Sequence, residues 1–254
     1  MLKELKILFR HGKQYITDLE GVELTPLFRG RPEIATTITA SEAKELEALC
    51  PTNAISVVPF SINLGKCVFC KECHFYTPEK IRFTNDHKIA TNDLNRLIVK
   101  AGDRDAIELD ASLVRKEITS YFGKALKLRQ VSAAGDNSAE MELNAAGNVN
   151  FDVGRYGMEF VASPRHADGL VITGPISENM AEPLEICYNA TPSPKILILA
   201  GTDAISGGIF ADSKAVNRGF LSKYHVDLYV PGNPPHPLTF INGILSLTGR
   251  LKKK

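Results

Sequence analysis

The sequence has 254 residues, 44% of them apolar and 23% charged, with a formal net charge of +1. That length and balance suit one large globular domain or two ordinary ones and exclude a highly charged disordered chain; nothing global points to nucleic acid or to a membrane surface. No apolar run reaches the length needed to span a bilayer, and Met1–Arg10 has no small-residue cleavage site of the secretory kind.

In chain order, Leu2 to Ile16 carries Leu2, Leu5, Leu8 and Phe9 between basic residues. This is helical spacing, and an amphipathic, basic helix can pack on its own domain, on a partner or on a membrane face. A turn-rich stretch, Leu27 to Pro32, follows. A helix over Ser41–Leu49 is expected to end at Cys50-Pro51, because proline cannot continue it. Ala54–Ile62 reads as a strand and a turn, and a cysteine loop runs from Cys67 to Thr77. Asp93–Val99 and Ser112–Leu128 have mixed helical patterns.

From about Val131 glycine becomes frequent and short apolar runs end in glycine or proline. Val161, Gly169–Thr173, Ile196–Ala200 and Val226–Val230 are strand candidates, and Glu178–Tyr188 has helical character. Such alternation predicts a parallel α/β sheet, which gathers ligands at the carboxyl ends of its strands. The expected organisation is a first domain over 1–105, a linker over 106–130 and a second domain over 131–254. The terminal Lys252-Lys253-Lys254 reads as a solvated tail.

Three of the five cysteines, Cys67, Cys70 and Cys73, fall within seven residues, which in a chain without an export signal reads as metal binding, not as a disulfide framework. Two-cluster bacterial ferredoxins use two runs of C-x2-C-x2-C-x3-C-P, the fourth cysteine of each ligating the other cluster. Here one run supplies Cys67, Cys70 and Cys73, and the other supplies only its last member, Cys50, followed by Pro51. These four make one complete set for a 4Fe-4S cluster. The positions a second cluster would need are Ala40, Ala43, Leu46 and Thr77, and none is a thiolate. Zinc also takes four cysteines, but its sites usually pair one C-x2-C with another. Cys187 stands alone and reads as a small buried side chain.

The first ~100 residues resemble the ferredoxin-like subunit of membrane-bound nickel–iron hydrogenases of the formate hydrogenlyase type and the 23 kDa subunit of respiratory complex I. Phe28-Arg29-Gly30-Arg31-Pro32, Cys50 to Ile55 and Gly65 to Cys70 carry that resemblance. The rest resembles the complex I 20 kDa subunit and the hydrogenase small subunit. Its carriers are Arg155-Tyr156-Gly157, Ser163 to Asp168, Thr173-Gly174-Pro175, Ser206 to Phe210 and Val226 to Gly232. The chain thus looks like a fusion of two neighbouring subunits.

The resemblance implies an α+β ferredoxin-like 4Fe-4S domain followed by an α/β flavodoxin-like parallel-sheet domain. It also implies a terminal 4Fe-4S cluster in the second half, on a C-x2-C pair and two later cysteines. The matching positions here are Asp136, Ala139, Asp203 and Asn233. Two aspartates and an asparagine are hard oxygen donors, unsuited to a sulfide cluster. They suit either a hard cation or, more simply, hydrogen bonds to loop amides. The expectation is therefore one cluster, on Cys50, Cys67, Cys70 and Cys73, and no terminal cluster.

By the same resemblance the chain is expected to be an electron-transfer subunit, non-catalytic by itself, of an oxidoreductase complex. Its implied partners are a hydrogenase large-subunit-like (complex I 49 kDa-like) protein and membrane-arm subunits, with no nucleic acid. Its implied place is peripheral, on the cytoplasmic face of the inner membrane. The alternative is a structural or regulatory paralogue whose cluster is a folding staple or redox sensor. Arg165, His166 and Asp168 are read as a structural ion pair. No nucleotide fingerprint or hydrolytic triad is present.

Overall fold

The computed structural model describes residues 2–251, so the lysine tail lies outside the described residues. Helix α1 (Leu2–His11) buries none of its side chains. It ends at Gly12, whose φ of 60° is left-handed backbone, and so stops short of the expected Ile16. The chain meets the body at Tyr15, whose ring lies 3.2 Å beneath the Arg155 guanidinium, and at Ile16, whose N–H donates to Asn150 O.

The first half is built from β1 (Pro32–Ile34), α2 (Ala40–Leu49), β2 (Ile55–Val57), β3 (Phe60–Asn63), α3 (Glu72–Tyr76), β4 (Ile81–Phe83) and β5 (Ile98–Lys100). β1 pairs antiparallel with β4, and β2, β3 and β5 form a second antiparallel sheet. α2 starts in a reciprocal cap: the Glu42 N–H donates to Thr39 Oγ1 and the Thr39 N–H donates to the Glu42 carboxylate. It stops at Cys50, ahead of Pro51, as the sequence predicts. Its inner face, Ala43 and Leu46, packs with Ile62, Leu64, Ile81, Cys67 and Cys73 into one core.

The second half contains α4 (Lys116–Tyr121), β6 (Leu126–Ser132), α5 (Ser138–Ala145), β7 (Met158–Phe160), β8 (Gly169–Thr173), α6 (Glu178–Ala190), β9 (Ile196–Ala200), α7 (Thr202–Ser206), α8 (Gly219–Lys223), β10 (Leu228–Val230) and α9 (Pro237–Leu247). Its five strands run parallel in the order β10-β9-β8-β6-β7. Counted within this half, that is 2-1-3-4-5, the doubly wound order of flavodoxin-type sheets, and the expected parallel α/β sheet is present. Alternate residues of β8 and β9 feed two cores. Val171 and Ile198 join Ile241 and Ile244 of α9 on one face; Leu170, Ile172, Leu197 and Leu199 join Leu184 of α6 on the other.

Two details differ from the sequence reading. β6 starts at Leu126, ahead of the texture change at Val131 and inside the stretch read as linker. The strand near Val161 is β7, ending at Phe160, with Val161 N–H still bonded to Leu128 O. The halves are joined by backbone: Thr91 and Tyr229 exchange N–H to O bonds of 2.8 and 3.0 Å. Arg115 clamps Asp227 with two bonds of 2.9 Å, and Asp227 also accepts from Leu197 N. Among the described residues no helix is long and apolar enough to cross a membrane.

Candidate iron–sulfur site and the carboxyl-edge cavity

Cys50, at the end of α2, and Cys67, Cys70 and Cys73, on the loop entering α3, line one cavity that is partly open to solvent. The loop reverses tightly. Phe69 and Lys71, on either side of Cys70, both hold left-handed backbone, φ 53° and 70°, a conformation unfavourable for side-chain-bearing residues that needs support from its surroundings. That support is visible. Arg29 Nη1 donates to Phe69 O at 2.6 Å, and Thr202 Oγ1, from α7, donates to Cys67 O at 2.7 Å. Two amides point at sulfur: Ala54 N donates to Cys50 Sγ and Phe69 N to Cys67 Sγ, each at 3.3 Å. Such bonds favour thiolate and tune any metal the thiolate holds.

As bare thiols, Cys67 and Cys73 resist ionisation. Burial, followed by the neighbouring cysteines, pushes Cys67 well above its ordinary value and Cys73 up to about 12. Four clustered thiols, two of them buried, are stable as thiolates only beside positive charge, which bound iron supplies. The residues therefore fit a 4Fe-4S cluster: four sulfurs of the right softness, one cavity, and amide donors aimed at two of them. Among the described residues no three His, Cys, Asp or Glu side chains converge on a point close enough to hold a single metal ion. Of the positions of the second ferredoxin cluster, Ala43 and Leu46 are buried in the core, Thr77 Oγ1 donates to Cys73 O, and Ala40 is exposed.

The structure also brings together the other four positions singled out in the sequence. Asp136, Ala139, Asp203 and Asn233 line a second, small cavity at the carboxyl edge of the sheet. The loops after β6, β8, β9 and β10 converge there, and β6 and β8 flank the point where strand order reverses. Asp136 behaves as a loop-capping residue: Oδ1 accepts from Ser138 N at 2.9 Å and from Ser138 Oγ at 2.5 Å, and these bonds hold its carboxyl below the usual range. Asp203 does not. Its Oδ1 is buried without a hydrogen-bond partner, and a Cβ at Gly208 would collide with that oxygen. Burial first, and then Asp136, raise the Asp203 carboxyl to about 6. The expectation that these oxygens bond loop amides is thus met at Asp136 and not at Asp203 Oδ1. Thr202 lines this cavity and also bonds the cysteine loop, so one residue joins the two sites.

Three residues that hold these sites escaped the sequence reading. Thr202 and Arg218 act across long sequence distances; Arg218 donates to Pro175, Asp203, Ala204 and Ile205 carbonyls and pins the loop around α7. Glu140, buried beside Ala139, accepts from Thr173 Oγ1 at 2.5 Å. Arg29 belongs to a segment the sequence flagged, Phe28 to Pro32, though not for this bond. Arg165, His166 and Asp168 form no ion pair among the described residues; Asp168 instead accepts from Lys127 N at 2.7 Å. Cys187 is half-buried.

The parallel sheet, with loops converging at its carboxyl edge and a cysteine-lined cavity packed against them, defines a doubly wound α/β protein with a cysteine-lined site. Residues 137–247 match the family model of the NADH ubiquinone oxidoreductase 20 kDa subunit. The probable membrane-bound hydrogenase subunit mbhJ of Pyrococcus furiosus is 32% identical over 137 residues, 54% of this chain and 82% of that protein. An NADH-quinone oxidoreductase subunit of Clostridium beijerinckii is 42% identical over 112 residues, 44% of this chain and 66% of its own. Formate hydrogenlyase subunit 7 of Escherichia coli is 36% identical over 152 residues, 60% of this chain and 58% of its own. A chain of the membrane-bound sulfane sulfur reductase, an archaeal respiratory membrane complex, is 29% identical with a TM-score of 0.44, over 50% of this chain and 70% of that one. The chain belongs to the family of the NADH ubiquinone oxidoreductase 20 kDa subunit.

Proposed function

We propose that this chain is a one-cluster iron–sulfur subunit of a membrane-associated complex related to complex I and to membrane-bound hydrogenases. In this reading residues 1–105 are a ferredoxin-like domain fused, through 106–130, to the family's α/β domain. The observation that carries it is the pairing of two cavities: four cysteines line one, and the four family ligand positions line the other without a single thiol. Cys50, Cys67, Cys70 and Cys73 would hold the 4Fe-4S cluster, which when bound supplies one-electron chemistry. The chain's own residues do the rest. Arg29 and Thr202 fix the carbonyls of the cysteine loop, and the Ala54 and Phe69 amides stabilise the anionic sulfurs. The thiols surround a space and not a point, which suits a cube with an iron at each of four corners better than zinc, whose four sulfurs sit about 2.3 Å from one centre.

The relatives' names connect them with hydrogenase, formate hydrogenlyase and NADH-quinone oxidoreductase. By analogy the partners proposed here are a hydrogenase large-subunit-like protein and membrane-arm subunits, with the chain peripheral on the cytoplasmic face of the inner membrane. The test is iron and acid-labile sulfide per chain after anaerobic purification, with EPR of the dithionite-reduced protein. About four irons and one S = 1/2 signal support the reading. No iron after reconstitution sinks the cluster, and about eight irons restores a terminal cluster to the second cavity.

A second reading is favoured by one observation: Cys67 and Cys73 belong to the core of the first half. The cluster would then be a folding staple. A cluster that physiological donors cannot reduce, but whose removal unfolds the first half, supports the staple over electron transfer.

A further inference from the structure

We infer that helix α1 is an interfacial anchor that lies in the surface of an anionic lipid bilayer. The inference deepens the membrane-complex reading, on which it rests for the nearness of a bilayer. Successive residues turn by about 100° around a helix, so Leu8, Leu5, Phe9 and Leu2 fall within one arc of about 120°. These four are between 55% and 91% exposed, and no residue of α1 is buried against the body. On a soluble surface this is an apolar stripe with nothing beneath it. Lys6, Arg10 and Lys3 follow one another along one flank of the arc, where long basic side chains can lay their methylenes beside acyl chains and keep their charge among headgroups.

The charge distribution selects the occupant. From Leu2 to Lys13 the chain carries four basic side chains and one acid, an excess of three in a molecule whose total is +1. The remainder is therefore net negative, so the molecule's basic excess sits on this segment, which an anionic surface attracts. A second copy would set one basic helix against another. At ten residues α1 is too short to span a bilayer, which needs about 20 apolar residues. Its tether suits a helix that lies flat: it leaves through Gly12 in left-handed backbone, and the first fixed contacts with the body are at Tyr15 and Ile16.

The test is co-sedimentation of the full chain with vesicles of phosphatidylcholine alone and of phosphatidylcholine mixed with phosphatidylglycerol. Pelleting is expected with the anionic vesicles only, and it should fall as salt rises. Leu5→Glu with Phe9→Glu should weaken it at least about tenfold, and Lys3→Gln, Lys6→Gln and Arg10→Gln should each weaken it about fivefold. Iron content and the EPR signal should be the same in all of them, which separates failure of the anchor from failure of the cluster reading. No pelleting with anionic vesicles, pelleting that the variants leave unchanged, or self-association that the apolar variants abolish would each overturn the anchor.

Discussion

Burial raises both the Asp203 carboxyl and the Cys73 thiol above their ordinary values, and their chemistry then diverges. Cys73 shares its cavity with three other thiols, so Cys73→Ser should lose bound iron, measured per chain, whereas Cys187→Ser should retain it in full. Asp203 has only another carboxylate for company. An acid raised in the folded state binds its proton more tightly folded than unfolded. Stability is therefore highest below the unfolded value of about 4 and falls as pH rises through about 6. Asp203→Asn should raise stability by about 1–2 kcal/mol near pH 7, and the gain should vanish below about pH 4. Denaturant midpoints at the two pH values check this; an equal gain at both would point to packing instead of charge. The gathering of the four cysteines into one cavity was legible from their spacing, because metal-ligating cysteines follow a strict local pattern. Thr202 was not, because a threonine bonding a carbonyl 135 positions away leaves no trace in its neighbours.

Among the elements, the four loops at the carboxyl edge of the sheet converge on Asp136, Ala139, Asp203 and Asn233, the positions that the resemblance assigns to a terminal cluster. Asp136→Cys, Ala139→Cys, Asp203→Cys and Asn233→Cys combined should therefore take up a second cluster, raising iron from about four to about eight per chain. Unchanged iron in a folded quadruple variant would mean that the loops no longer fit one. The buried strands β8 and β9 were plain in the sequence as unbroken apolar runs, as expected of strands covered on both faces. β6 was hidden. It is interior to the sheet, yet Lys127, Arg129 and Gln130 interrupt its apolar residues, so it read as part of a mixed helical stretch. α1 was read too long because its apolar pattern has a chance continuation at Ile16, beyond the left-handed turn at Gly12.

Across the whole molecule, the halves read from the sequence as two domains share backbone bonds at Thr91 and Tyr229 and the bond from the Thr202 hydroxyl to Cys67. Thermal unfolding of the cluster-loaded chain should accordingly give one cooperative calorimetric transition; two resolved transitions would show that the halves fold independently. The texture change at Val131 announced a new architecture but could not reveal this seam, since contacts between distant segments have no signature in composition. The bond from Thr202 to Cys67 also has a consequence for biogenesis. The cysteine loop leaves the ribosome long before the residue that braces it, so it acquires its final shape only when most of the chain has been made. A cluster on this loop is therefore an acquisition of the finished polypeptide, and nascent chains arrested before Thr202 should hold iron weakly or not at all.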